Sequence, residues 1–118
     1  MVNDVIYNKI KEVARKGKSD NIKGIIYYEE LMSLVGLGHE NPDDRYHEIG
    51  KILDDINRAD RKKTGLLITA VVVRKDTKMP GNGFFELAFE LGCFNKWGQR
   101  YRFWVDEIKR VWDYWSKH

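Results

Sequence analysis

Residues 41–65 carry more helix signals than any other stretch of the chain, and they limit how the rest can fold. Asn41 is a strong helix cap, Pro42 suits the first helical position, and the next two residues are aspartates, which the helix dipole favours there. Arginines and lysines gather before Gly65, where cations are favoured. The sequence therefore predicts one long helix. Its core face is Tyr46, Ile49, Leu53 and Ile56.

A buried strand is predicted directly after this helix. Residues 66–73, LLITAVVV, carry no charge, are rich in β-branched side chains and have the length of a strand. The charged loop that follows, residues 74–83, holds one proline and two glycines, so we expect a hairpin-like turn. The chain then returns to a helical pattern.

Four further helices and one short extended piece are predicted from caps and apolar spacing. Asn3 caps a first helix that ends near Gly17, and its apolar face is Ile6, Ile10, Val13 and Ala14. An extended piece at 25–27 precedes a helix that begins near Glu29, presents Leu31, Leu34 and Val35, and stops at Gly36. A helix begins at Phe84, with Phe84, Leu87, Ala88 and Leu91 at helical spacing. The last helix covers about 103–116, with a stripe of Trp104, Ile108, Val111, Trp112 and Trp115.

Size and composition predict one globular domain over residues 1–118. The chain is 42% hydrophobic and 13% aromatic, which is enough apolar surface for a core. No apolar run approaches the roughly twenty residues that span a bilayer, and the N-terminal residues mix charges with apolar side chains, unlike a signal peptide. Cys93 is the only cysteine, so no internal disulfide can form. We therefore expect a cytoplasmic protein with no membrane partner.

The order of predicted elements defines the expected fold class, which is mainly α with a small β element. Helix, short strand, helix, turn, long helix, strand and hairpin-like loop is the order of a winged-helix-like core, here with additional C-terminal helices. The stretches IIYYEELMSLVG (25–36), HEIGKILDDIN (47–57) and VVVRKDTKMPGNGF (71–84) together resemble the alkyltransferase-like DNA-binding domains. In that family a Tyr-x-Glu-Leu helix leads to a Gly-containing second helix and a Gly-rich wing.

The chain departs from that family where alkyl transfer would take place. Alkyltransferases carry a Pro-Cys-His-Arg core, whereas residues 68–75 read ITAVVVRK, without the cysteine or the histidine. Alkyl transfer is therefore excluded. The combination of residues 66–92 with FWVDEIKRVWDYW (103–115) also resembles a set of small uncharacterised proteins of bacteria and their phages, from which no activity carries over.

Two basic loops contain the candidate ligand-binding residues. In the first, glycines tolerate positive backbone torsions, so successive amides can point inward as an anion-binding nest, and a following helix start would strengthen it. A tight Asn-Gly turn that merely redirects the chain is the alternative. In the second loop an isolated tryptophan lies among cations, where it can stack on a base or serve as a packing residue. The candidate phosphate-binding residues are Arg74, Lys75, Lys78, Gly81, Asn82, Gly83, Lys96, Trp97 and Arg100.

Neither a metal site nor a catalytic set is predicted. His39, Glu40, Asp43, Asp44 and His47 are ligand types close in sequence, but their spacing matches no standard metal motif and the aspartates are explained as helix-start residues. A nucleophilic Cys93 with a histidine base has no support from spacing. We therefore expect a protein that is not an enzyme and uses no cofactor.

Two classes of function remain open. The first is a noncatalytic nucleic-acid-binding module that meets a phosphate backbone through its basic wing loop. The acidic opening of the long helix, residues 42–48, argues against a standard recognition helix. The second is a small phage-type anti-defence protein that sequesters a nucleotide signal or inhibits a host enzyme by protein–protein contact. Its partners would be a nucleotide or a host protein.

Overall fold

A computed structural model describes residues 2–17, 24–37 and 41–118, and this part of the chain is mainly helical. Its helices are α1 (Asp4–Lys16), α2 (Tyr28–Leu34), α3 (Pro42–Thr64), α4 (Asn82–Glu90) and α5 (Arg100–Trp115). Strands β1 (Ile26–Tyr27) and β2 (Val72–Val73) form a small parallel sheet, in which Ile26 lies opposite Val72. The prediction of a mainly α protein with a small β element is confirmed. Within the described ranges no helix is long and apolar enough to cross a membrane.

Helix α3 forms where its caps predict it. The Asn41 side chain accepts a hydrogen bond from the Asp43 amide at 2.8 Å, and Gly65 ends the helix in the left-handed region with φ 75°. The predicted core positions Ile49, Leu53 and Ile56 are buried. Tyr46 was predicted on the same face, and this was wrong. Its ring is 40% exposed because its hydroxyl reaches out to donate to the Glu29 carboxylate at 3.1 Å.

The segment that follows α3 is buried as predicted, but most of it is not a strand. Residues Ile68–Val71 form a 3₁₀ helix, and only Val72–Val73 pair with β1. Every side chain from Leu67 to Val73 is buried, and the 3₁₀ helix contacts α1, α3 and α5. A short run of apolar residues has no periodicity that distinguishes these conformations. The helical surroundings decide the outcome, because β1 offers only two residues for strand pairing.

Helix α1 runs as predicted, from the Asn3 cap to Gly17. Gly17, however, is not required by the backbone conformation at the helix end. Its φ of −66° is right-handed and suits any residue, so it is not a left-handed C-cap. It is instead overlaid by the ring of Trp112 from α5, and a Cβ at this position would overlap that ring. The indole also donates to the Gly24 carbonyl at 2.8 Å, which holds the ring in place.

Replacing Gly17 with alanine should therefore lower the free energy of unfolding by about 1–3 kcal/mol, because the added methyl overpacks the site under Trp112. Gly50→Ala is the matched control, since Gly50 lies inside α3 with no atom near the added Cβ. The control should keep or slightly raise stability. Urea unfolding measures both, and equal stabilities would contradict the close contact.

The two C-terminal helices begin earlier than predicted, at Asn82 rather than Phe84 and at Arg100 rather than Phe103. Between and around them the core is aromatic: the Phe85 ring lies 5.2 Å from that of Phe84 and 5.6 Å from that of Phe94. Leu34 of α2, predicted to face the core, is exposed because α2 ends there. The early starts of α4 and α5 bring both helix N-termini toward the turn at 74–79.

Candidate functional site

The first basic loop closes through its backbone. The Arg74 amide donates to the Met79 carbonyl and the Lys78 amide to the Arg74 carbonyl, each at 2.9 Å. Lys78 takes the left-handed conformation that this turn requires, with φ 60°. The predicted hairpin-like turn therefore forms over residues 74–79, before either glycine is reached.

The glycines of this loop do not form the predicted nest of positive torsions. Gly81 is extended, with φ −73° and ψ 173°, and precedes α4 as its cap residue, while Asn82 and Gly83 are the first residues of the helix. They are therefore not a tight-turn pair either, because α4 begins two residues before the predicted start. Left-handed glycines occur instead at Gly36, Gly65 and Gly92.

The N-terminus of α4 begins after a glycine, so no side chain of the cap residue bonds its first amides. Gly81 has no side chain to accept from the first amides of α4, and no side-chain cap is present there. Its own amide donates to the Tyr28 hydroxyl at 2.9 Å, which fixes the cap residue against α2. The amides of Asn82 and Gly83 therefore remain available to an external acceptor, at the end of the helix where the dipole favours anions.

A change at Gly83 tests this helical assignment. Gly83→Ala should leave the free energy of unfolding unchanged or raise it by up to about 1 kcal/mol, because the position is helical and a Cβ there meets no neighbour. Gly36→Ala is the control, since Gly36 also has open space around it but a φ of 72°. It should lose about 1–2 kcal/mol. Comparable losses at both glycines, measured by urea unfolding, would contradict the helical start at Asn82.

A first cavity of about 400 Å³ joins the two basic loops. It lies between the 74–79 turn, the start of α4 and the start of α5, and the Arg100 guanidinium donates to the Asn82 side-chain oxygen at 3.4 Å. Trp97 and Tyr101 also line it, and both rings are exposed. Five of the predicted site residues therefore meet here: Arg74, Gly81, Asn82, Trp97 and Arg100.

The two arginines of the first cavity are not equivalent. Arg74 makes a bidentate pair with Asp76, with both N–O distances 2.9 Å, and this pair lowers the pKa of Asp76 and raises that of Arg74. Much of its charge is thus already compensated. Arg100 contacts no carboxylate in the described part of the chain, so its charge can pair with an anion that binds in this cavity.

The remaining predicted cations lie elsewhere. The ammonium groups of Lys75 and Lys78 lie 5.7 and 4.7 Å from the centre of the Tyr27 ring, and Lys78 also bonds the Tyr27 hydroxyl at 3.0 Å. Lys96 lines a separate small cavity beside Cys93. Gly83 lines a second, larger cavity on the α3 side of α4. The nine predicted residues are thus divided among several places.

Tyr101 is a site residue that sequence reasoning missed. Its ring is 64% exposed and lines the first cavity with Trp97, four positions earlier. It was overlooked because the last helix was predicted to begin at Phe103. The signal was present: Trp97, Tyr101 and Trp104 follow the spacing of one helical face, and the Tyr101 and Trp104 ring centres are 5.9 Å apart.

No group of three or more histidine, cysteine, aspartate or glutamate side chains is placed to hold a metal ion among the described residues. His39 and Glu40, from the ligand-type cluster considered above, lie outside the described ranges. Asp43 and Asp44 occupy the first turn of α3, where the dipole favours them. Cys93 is half-buried and has no disulfide partner.

Comparison with known proteins adds no relative: the chain matches no protein-family model, no curated protein and no solved structure. The site combines an arginine that pairs with no carboxylate among the described residues, the N-terminus of α4 without a side-chain cap, and two exposed aromatic rings around the first cavity.

Proposed function

We propose that this protein is a noncatalytic module that binds nucleic acid through the first cavity, with the strand's phosphate held by Arg100 and the first amides of α4. The observation that carries the proposal is the position of Trp97 and Tyr101, whose exposed rings line the same cavity as this anion site. Proteins that bind single strands combine cations that contact the phosphates with aromatic rings that stack on the bases.

The architecture supports a single strand rather than a duplex as the ligand. In the predicted winged-helix-like core, the 74–79 turn takes the place of the wing, and it is closed by its own backbone bonds. Helix α3, which would be the long helix of that core, opens with Asp43 and Asp44, and these would repel the phosphates of a major groove. The starts of α4 and α5 are then the elements that contact the ligand.

Titration of a labelled single-stranded oligonucleotide at several salt concentrations tests the proposal. Binding should weaken as salt rises, with a slope in log affinity of about −0.7 for each phosphate contact on a single strand. Trp97→Phe should remove most of the fluorescence quenching on binding while leaving the fold intact, because phenylalanine keeps a ring beside Phe89 and Phe94. Absence of binding at low salt would refute the proposal.

A further inference from the structure

The second cavity, of about 510 Å³, has the size of a small-molecule site, which is typically about 300–1,000 Å³. It lies between α2, α3 and the start of α4. Arg74, Gly81 and Asn82 line both this cavity and the first one, so the proposed phosphate site lies at its edge. A ligand with a phosphate in the first cavity can therefore extend its next group into the second.

The walls of the second cavity suit a flat, partly polar group. Tyr28 and Tyr46 line it with ring centres 6.0 Å apart, and Leu53 and Phe84 add apolar surface. Aromatic and apolar walls of this kind bury an unstacked nucleobase. A nucleobase is also the group that a nucleotide carries next to its phosphate and sugar.

Two polar residues in the wall of the cavity bond each other. The Asn57 amide donates to the Thr69 hydroxyl at 2.7 Å, and the Thr69 backbone amide donates to the Asn57 oxygen at 3.2 Å. Both residues are buried, and the second N–H of the Asn57 amide has no partner among the described residues. A base edge with two donors needs an acceptor from another residue.

Asp54 is a carboxylate in the wall of the same cavity. It lines the cavity from α3, is half-buried, and its carboxylate accepts no hydrogen bond from the described residues. Burial raises the pKa of Asp54 above its ordinary value, as do the charges of Glu90, Asp55 and Glu86, while Arg58 opposes them. Because none of the described residues donates to it, both of its oxygens can accept hydrogen bonds from a ligand in the cavity.

We infer that the second cavity binds a guanine base, with the Asp54 carboxylate accepting from its ring N1–H and its 2-amino group. The inference rests on the proposed phosphate site and specifies its ligand as a guanine nucleotide unit. Guanine presents two adjacent N–H donors on one edge, which match the two oxygens of one carboxylate. Adenine presents a donor beside an acceptor, so it can bond only one of the two carboxylate oxygens.

Calorimetric titration with GMP, IMP and AMP tests the inference directly. IMP lacks the 2-amino group and AMP lacks both donors, so GMP should bind at least about tenfold more tightly than IMP and more tightly still than AMP. A guanine at the end of a short oligonucleotide should show the same preference over adenine if the natural source is a strand, whereas a preference restricted to GMP would indicate a free nucleotide. Equal binding of the three mononucleotides would overturn the inference.

Asp54→Asn provides a gain of binding that a merely structural residue would not show. An asparagine presents one acceptor and one donor, which match the N1–H and the 2-oxo group of xanthine. The variant should lose about tenfold or more in affinity for GMP and gain affinity for XMP. Asp55→Asn, one position away and exposed, is the matched control and should bind GMP as the wild type does.

The outcomes separate this inference from the proposed function. Two results would overturn the guanine site and leave the phosphate site standing. One is salt-dependent oligonucleotide binding without any preference for guanine. The other is an Asp54→Asn variant that gains no affinity for XMP. Absence of both oligonucleotide and GMP binding in the wild type would refute both, whereas GMP binding without oligonucleotide binding would refute nucleic-acid binding and leave the guanine site standing. The Asp54→Asn protein should stay folded, since it removes a carboxylate whose burial disfavours its charge, and circular dichroism checks this.

Discussion

Phe85→Ala should lower the free energy of unfolding by about 3–5 kcal/mol, which is the largest stability effect expected from a single substitution in this account. The ring is 2% exposed and packs against the rings of Phe84, Phe94 and Phe103. Truncation removes its buried surface and leaves a cavity where α4 meets α5. Neighbouring rings can fill only part of that cavity, because they are held by one another.

Phe89→Ala is the matched control, because Phe89 lies on the same helix and is 53% exposed. Its loss should be about 1 kcal/mol or less, because half of the side chain is exposed and its ring contact is with Trp97 at 6.0 Å. Chemical denaturation of both variants measures the difference. Equal losses at the two phenylalanines would contradict the burial pattern of α4 and the aromatic core built on it.

Arg100→Gln should weaken oligonucleotide binding by about ten- to hundredfold, the largest effect on binding expected from one residue. Hydrogen bonds to charged groups contribute about 1.5–3 kcal/mol, and Arg100 is the cation of the first cavity that is not already paired with a carboxylate. The salt slope should fall by about 0.7 as one phosphate contact is lost. Stability should change little, because the side chain is exposed.

Arg102→Gln is the control for charge alone. Arg102 is also exposed and lies two positions further along α5, but it lines the separate small cavity beside Cys93. Both variants remove one positive charge, so if binding depended only on general electrostatic attraction, both would lose the same oligonucleotide affinity. The proposed site predicts that Arg102→Gln retains affinity within about a few fold. Similar losses in the two variants, measured at the same salt concentration, would contradict a specific role for the first cavity.

The parts of the fold that were predicted correctly have local causes. Helix α3 carries its cap, its proline and its charge distribution within its own sequence, so its start and end could be predicted. The conformation of 68–71 could not, because it depends on how many strand residues lie beside it. Gly17 shows the same limit: its sequence position suggests a helix stop, whereas the ring of Trp112 reaches it from the far end of the chain.

The candidate site was predicted in part, for reasons that also lie in the fold. The two basic loops were identified by composition, and Arg74, Asn82, Trp97 and Arg100 do meet at one cavity. The mechanism given to the glycines was wrong, because α4 starts early enough to make Gly83 helical. Asp54 carried no sequence signal, since a charged residue on a long helix is ordinary until the cavity beside it is known.

The most direct test of the proposed binding site is a titration followed by the backbone amide signals of the protein in NMR spectra. As a single-stranded oligonucleotide is added, the amides of Asn82 and Gly83 should show the largest shifts, together with the indole N–H of Trp97. These amides are the first of an uncapped helix, and the side chain of Asn82 bonds Arg100, so a phosphate bound there must change their environment. Shifts centred on Tyr27 and Lys78, with Asn82 and Gly83 unmoved, would contradict the proposed site.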